Sequence, residues 1–498
     1  MDLKSLFAKP FANFINKKVQ KSKANAIEDQ NIIFKLIIQK ASKTAFGKEH
    51  SFHEIKTHED FKKNVPIRDY EAIKNFIEEI KLGKMNILWP GKPLYFAKTS
   101  GTTSGVKYIP ITKDSISNHI NTARNALLCY MVDSGNYTFS SGKMIFLSGS
   151  PELERIANIP TGRLSGIVNH HVPKYLRANQ LPSIETNCID DWEEKLEHIV
   201  NETINQNMTL ISGIPPWVQM YFDKLEKNSG KKIGELFPNF NVMVYGGVNF
   251  EPYKNKLFES IGRKIDTIEL YPASEGFFAF QDLQNEKGML LNTNSGIFYE
   301  FVSVNEIFLE SPTRLTLKDV ELHENYALII SSNAGLWAYN IGDTIKFVSL
   351  NPYRIIVSGR IKHFISAFGE HVIGEEVEHA LLKAAEEENV LITEFTVAPF
   401  ISQNQGKSFH EWFIEFENPP TDLQKFTKKV DDNLREKNVY YDDLITANIL
   451  DILHINVIKK NGFIDYMKSI GKLGGQNKVP RLSNDRTLAN ALLPFIKS

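Results

Sequence analysis

At 498 residues the chain is too long for one hydrophobic core and suits a large domain with a smaller one. Its 58 basic and 59 acidic residues leave a net charge of −1, which removes the electrostatic case for nucleic acid or an anionic membrane as partner. Cys129 and Cys188 are the only cysteines, a pattern that fits a reduced cytoplasmic protein and ordinary thiols rather than catalysts.

Residues 1 to about 90 read as mostly helical, with polar loops near Lys43 to Thr57, and form a cap on the rest of the large domain. Lys4, Lys9, Lys17 and Lys18 break up Leu3, Leu6, Phe7, Phe11, Phe14 and Ile15, so no signal-peptide core is present. Those apolar residues recur at helical spacing; a membrane-surface helix has such a stripe, but a helix packed on its own domain is the commoner use and is the expectation. Ile32 to Ile38 is interrupted by Lys35 and falls well short of the roughly 20 apolar residues of a spanning helix, so a soluble protein is expected.

Between two apolar runs, Lys98 to Pro110 reads Lys-Thr-Ser-Gly-Thr-Thr-Ser-Gly-Val-Lys-Tyr-Ile-Pro. Thr99, Ser100, Thr102, Thr103 and Ser104 bring hydroxyls beside the backbone N–H groups that anion cradles use, and Gly101 and Gly105 permit the turns. It is not a Walker A loop, because Val106 follows Gly105 where that motif needs lysine. Taken alone, such a cluster is more often a surface loop than a phosphate cradle. Thr112 is the expected N-cap of a helix with Ile116, Ile120, Ala123, Leu127 and Met131 on one face. Lys143 to Leu147, Met208 to Ile211 and Val242 to Tyr245 are short strand-like runs separated by loops and helical stretches, the rhythm of an α/β sheet whose strand ends bind ligands. His170-His171 lacks partners at a recognised ligand spacing, so no zinc site is expected.

Ile268 to Gly276 reads as a strand ending in a turn that presents Ser274 and Glu275, a carboxylate suited to Mg²⁺ on a phosphate. Gly335 to Phe347 places Asp343 after a glycine, where an acceptor-only side chain can take both ribose hydroxyls. A domain boundary is expected near Val357 to Lys362, between a strand at Arg354 to Val357 and a helix from about Glu375. Beyond it, Thr393 to Val397 and His410 to Phe416 alternate apolar and polar residues, and Leu423, Phe426, Val430 and Leu434 repeat helically, which gives a small α+β lid.

In order and spacing these segments resemble the adenylate-forming superfamily of acyl-CoA synthetases, luciferases and peptide-synthetase adenylation domains. The closer resemblance is to the Gretchen Hagen family of auxin-responsive acyl-acid-amido synthetases. It runs from about Pro93 to Arg481 and is carried by the Thr-Ser-Gly-Thr-Thr-Ser-Gly loop, Gly213 to Trp217, Tyr245 to Phe250, Tyr271 to Gly276, Tyr339 to Asp343, Ala367 to Glu370 and Gln476 to Arg481. The resemblance implies an α/β fold with a large N-terminal adenylation domain over residues 1–358, including the helical cap, and a small C-terminal lid over 359–498. It also implies an ATP- and Mg²⁺-dependent ligase that activates a small carboxylic acid as its adenylate and joins it to an amino acid.

Thr99, Ser100, Gly101, Thr102, Thr103 and Ser274 would then serve the phosphates, Glu275 the metal, and Tyr271 with Gly246-Gly247 the adenine. Asp343, helped by Arg360, would take the ribose. Lys478, in Lys-Val-Pro-Arg, is the lid lysine for the α-phosphate, with Lys472 as the alternative; Lys362 is the hinge pivot. Arg124 lines up with an arginine that meets the acid, although a surface ion pair suits that position as well. Two departures stand out: Ser366 occupies a place where relatives carry lysine, and Asn340 one where they carry arginine. An acyl-CoA synthetase with a thiol acceptor, or a non-catalytic nucleotide-binding protein of the same fold, remain the competing readings. The oligomeric state is open in the sequence, with a monomer as the expectation.

Overall fold

The computed structural model describes residues 3–100, 106–172, 177–361, 364–365, 370, 372–402, 408–447, 449–474, 477–483 and 485–497. Gly101, Thr102, Thr103 and Lys362, and with them Ser104, Gly105 and Ser366, lie outside the described residues. The chain divides into two compact units: Met1–Val248 with Ile261–Val357, and Asn249–Ser260 with Ser358–Ser498. No helix among the described residues is long and apolar enough to cross a membrane.

The first unit is organised by a mixed sheet of eleven strands. Edge to edge they are Ile297–Ser303, Asn325–Ser332, Tyr339–Leu350, Tyr353–Arg360, Met289–Leu291, Gly276–Phe280, Asp266–Ala273, Val242–Gly246, Met208–Ser212, Lys143–Phe146 and Gln180–Leu181. From Asp266–Ala273 to Gln180–Leu181 the pairs are parallel, with crossover helices such as Trp192–Thr203 and Pro215–Ser229 between the strands. A second sheet of four strands contains Tyr95–Ser100 paired antiparallel with Val106–Ile111, Ser100 opposite Val106. The opening residues form the expected helices, Leu3–Ala24, Ala26–Ala41, Ala45–Glu49, His58–Asn64 and Tyr70–Lys81.

The helix Ile116–Ser134 departs from the sequence reading in two ways. It starts three residues later than a Thr112 cap implies, because Thr112 and Ser115 close a turn on each other: the Thr112 hydroxyl accepts from Ser115 N (3.0 Å) and the Ser115 hydroxyl from Thr112 N (2.9 Å). Its expected apolar face is also too narrow. Ile120, Ala123 and Leu127 are only half-buried, while Asn118, His119, Thr122, Cys129 and Tyr130 are buried. One side of the helix meets Ala12, Ile15 and Val19 of Leu3–Ala24 and another meets the sheet at Ile268 and Phe277, so no single stripe marks its core. Burial pushes the Cys129 thiol up to about 12, which leaves it protonated and unreactive.

Glu300 is fully buried in the strand Ile297–Ser303, where Arg314 holds both its oxygens (2.9 and 2.7 Å) and His58 Nε2 lies 2.7 Å away. Burial alone would raise its carboxyl, but Arg314 and then His58 outweigh it and hold it below the ordinary value of 4.5. The pairing therefore stabilises the fold fully above about pH 4.5 and is lost as pH falls through the depressed value. Arg314→Leu should cost about 3 to 5 kcal/mol at neutral pH by stranding the carboxylate, and less once Glu300 is protonated, as read by urea unfolding at both pH values.

The second unit has a three-stranded sheet, Leu391–Phe400 antiparallel to Phe409–Asn418, which is parallel to His454–Ile458. Helices Gly374–Glu387 and Leu423–Lys437 cover one face through Val377, Leu381, Phe426 and Val430; Phe463, Leu488 and Leu492 cover the other. With both faces buried, the alternation expected from Thr393 to Val397 gives way to a run of buried residues from Phe395 to Pro399.

Candidate functional site

In the first unit, the residues expected at the strand ends gather around one hairpin. Asp266–Ala273 and Gly276–Phe280 pair antiparallel with Ala273 opposite Gly276, so Ser274 and Glu275 are the whole of a two-residue turn. Asn118 fastens the returning strand: its side chain accepts from Phe277 N (2.7 Å) and donates to Phe277 O (3.1 Å). Glu275 is half-buried and hydrogen-bonded to the phenol of Tyr339, whose own ionisation is pushed well up, first by burial and then by the Glu275 charge. A carboxylate fixed at the tip of a turn fits Mg²⁺, which binds through one or two carboxylates and otherwise keeps waters and substrate oxygens. Among the described residues no group of three or more His, Cys, Asp and Glu is placed to hold a metal by itself. His170 Nε2 instead lies 2.8 Å from Pro151 O and His171 Nε2 3.1 Å from the Tyr95 hydroxyl.

Asp343 reaches the same region through a bulge. Opposite Ala327 and Ile329 stand Thr344 and Asn340, so the Tyr339–Leu350 strand carries extra residues between them. Gly342 takes φ +87° there, a conformation that favours glycine, and the Asn340 side chain accepts from Gly342 N at 2.9 Å. Asn340, where relatives of the motif carry arginine, thus has a local task of shaping the turn. Asp343 is half-buried, and the Tyr271 hydroxyl donates to its Oδ2 at 2.8 Å. Tyr271 is buried and packs edge-on against Phe278. The structure therefore joins two residues that the sequence separates by 72 positions.

Gly246 ends the strand Val242–Gly246 and Gly247 comes next, in a bend. A Cβ on Gly246 would lie 2.5 Å from Leu270 O, so the glycine is required by the neighbouring strand whether or not a base packs on it. Thr99 is half-buried opposite Lys107, next to Ser100 at the strand's end. Arg124 lies on Ile116–Ser134 with its guanidinium 5.8 Å from the centre of the Phe11 ring and one nitrogen 3.1 Å from Asn125 Oδ1. Arg360, at the end of Tyr353–Arg360, and Lys478 belong to the second unit, and both are exposed, as is Lys472.

Two residues of the site have no role in the sequence reading. Tyr339 opens the Tyr-Asn-Ile-Gly-Asp motif, and its place next to that run is the signal that points to it. Asn118 reads as one polar residue in an apolar helix, the kind of position where a buried amide must find partners.

Three family models match in order along the chain: the GH3 family N-terminal domain at residues 15–186, the central domain at 290–360 and the C-terminal domain at 375–487. Jasmonoyl-L-amino acid synthetase JAR4 of Nicotiana attenuata is 21% identical over 498 aligned residues, covering 84% of this chain and 85% of that protein. Among solved structures, a GH3.15 acyl acid amido synthetase superposes with TM-score 0.80 at 16% identity, over 97% of this chain and 96% of that one. A 2-hydroxyisobutyryl-CoA ligase in a postadenylation state superposes with TM-score 0.60 at 12% identity, over 95% and 91%. These likenesses show a shared α/β adenylate-forming fold.

Proposed function

The chain belongs to the GH3 family, and from that premise we propose that it is an ATP-dependent acyl-acid-amido synthetase. In the first half-reaction a carboxylate oxygen of the acid attacks the α-phosphorus of ATP, and the bond to pyrophosphate breaks. In the second, an amino acid amine attacks the acyl carbon, loses a proton and expels AMP. The observation that supports this reading best is the Tyr271–Asp343 pair beside the Ser274-Glu275 turn, at strand ends of the kind where ligands commonly bind in open α/β sheets.

In the first step two anions must meet, so position and charge supply most of the rate. Asp343, oriented by Tyr271, takes the ribose hydroxyls, with Arg360 beside the nucleotide; Tyr271 and Gly246-Gly247 border the adenine. The hydroxyls of Thr99, Ser100, Thr102, Thr103 and Ser274 and the backbone at Gly101 hold the phosphates. Glu275 would hold Mg²⁺, which supplies charge neutralisation on the phosphates when bound. Lys478 meets the charge developing at the α-phosphate, Lys362 is the pivot that lets it arrive and leave, and Arg124 meets the acid. The two thiols, the balanced charge and the need for ATP fit a cytoplasmic enzyme.

An acid-by-amino-acid screen with mass detection of amide, AMP and pyrophosphate tests the reading, with coenzyme A as a parallel acceptor. Amide with AMP is the expected product; thioester alone would move the chain to the acyl-CoA synthetases, and no AMP from any acid would remove the ligase reading. Within it, Asp343→Ala should weaken ATP binding by roughly 1.5 to 3 kcal/mol, the worth of hydrogen bonds to a charged group. Calorimetric titration with ATP checks this, and an unchanged affinity would take Asp343 out of the ribose site.

A further inference from the structure

Within the second unit, the segment that carries Lys478 is fastened to the sheet just after the lysine. Pro480 O accepts from the Thr396 hydroxyl at 2.6 Å, Arg481 O from Val397 N at 3.0 Å, and Ser483 N donates to Val397 O at 3.0 Å, so the segment pairs like an added strand beside Leu391–Phe400. The side chain of Arg481 adds contacts to the same segment. One guanidinium nitrogen bonds Glu394 Oε1 and another the Tyr253 hydroxyl, and the Tyr253 hydroxyl donates to Glu394 Oε2 at 3.1 Å, which closes a three-membered ring of contacts. The guanidinium carbon lies 4.3 Å from the centre of the Phe395 ring and 5.0 Å from that of Tyr253.

Arg481 and Glu394 are 15% and 12% exposed in their side chains, whereas Lys478 is exposed. Glu378, hydrogen-bonded to Asn249, lies close enough to feel the same cation. Burial pushes both the Glu394 and Glu378 carboxyls up, and Arg481 is first among the groups that oppose it. A planar guanidinium that gives one nitrogen to Glu394, another to Tyr253 and its face to Phe395 suits this place in a way lysine would not. A lysine side chain is long and flexible, so its reach depends on where its backbone is held. Lys472 has a different anchor: its N–H donates to Met467 O at 2.8 Å, at the end of the helix Gly462–Ser469.

We propose that Arg481, locked between Glu394 and Tyr253, is the positioning residue that sets the backbone of Lys478 for acyl-adenylate formation. The proposal rests on the role of Lys478 at the α-phosphate. In this role Arg481 works through the short stretch of backbone between it and the lysine and not by direct contact with a substrate.

Acid-dependent pyrophosphate exchange is measured for the full chain and for Arg481→Gln in three backgrounds: wild type, Lys478→Ala and Lys472→Ala. Arg481→Gln should lower kcat about 10²-fold, the scale for a misplaced catalytic group. KM for ATP should stay within about twofold, because transition-state and not ground-state contact is lost. In Lys478→Ala the same change should have no further effect, while in Lys472→Ala it should act at full strength. Equal losses in all three backgrounds, or no loss in wild type, would overturn the proposal, since general damage to the lid multiplies with any other defect.

Where Arg481→Gln does not fold, Tyr253→Phe carries the same test: it keeps the ring, removes one hydrogen bond and should cost about fivefold, again only while Lys478 is present. Hydrogen exchange over residues 477–483 reads the fastening without any reaction. It should be faster in either variant, and an unchanged rate overturns the proposal even if wild type turns out to adenylate no acid, which would be a failure of the ligase reading alone.

Discussion

Lys478→Ala is expected to reduce acyl-adenylate formation by at least about 10²-fold while leaving amide formation from a supplied acyl-adenylate within a few-fold of wild type. The asymmetry comes from where charge develops. As the acid's oxygen closes on the α-phosphorus, negative charge gathers on the phosphoryl oxygens, and a cation there lowers that barrier far more than it tightens ATP in the ground state. When the amine attacks the acyl carbon, the phosphate is already a leaving group with its charge in place, and the amine needs access to the face the lysine occupied. Lys478 belongs to the second unit and Glu275 and Asp343 to the first, so a movement about Lys362 is the proposed way one enzyme serves both steps. Single-turnover assays of each half with purified acyl-adenylate decide it. Equal losses in the two halves would make the lysine structural or shared, and Lys472→Ala giving the asymmetric pattern instead would transfer the role.

Legibility in the sequence tracks the range of the interactions. The strands Lys143–Phe146, Met208–Ser212 and Val242–Gly246, the two-residue turn at Ser274-Glu275 and the glycine before Asp343 are readable because neighbours in sequence decide them. The face of Ile116–Ser134 is not, because a helix covered by another helix and by a sheet has no single apolar stripe. Nor is the buried Glu300: His58 lies 242 positions before it and Arg314 lies 14 after it, beyond the end of its strand, and each alone reads as a solvated charge. The site shows the same division. Asp343 and Tyr271 each lie in a motif, but their hydrogen bond exists only because a bulge in one strand turns the carboxylate toward another. Arg481 is visible as the end of Lys-Val-Pro-Arg; its partners Glu394 and Tyr253 lie 87 and 228 positions away and carry no sign of it.

Glu275→Gln is expected to leave the fold and its stability nearly unchanged and to reduce adenylation by at least about 10²-fold, the scale for losing a preorganised electrostatic contact to a reacting group. Shape is preserved because glutamine has nearly the same size and outline as glutamate, and its amide oxygen can still accept from the Tyr339 phenol. What disappears is a negative charge beside the expected phosphates. If Glu275 serves Mg²⁺, the variant should need a higher Mg²⁺ concentration to reach half-maximal ATP binding, a shift that equilibrium titration reads without turnover. If Glu275 matters only as the partner of Tyr339, then Glu275→Gln should behave as wild type and Tyr339→Phe should be the damaging change. Wild-type pyrophosphate exchange in Glu275→Gln at limiting Mg²⁺ would remove the carboxylate from the metal site and leave it as a support for the strand Tyr339–Leu350.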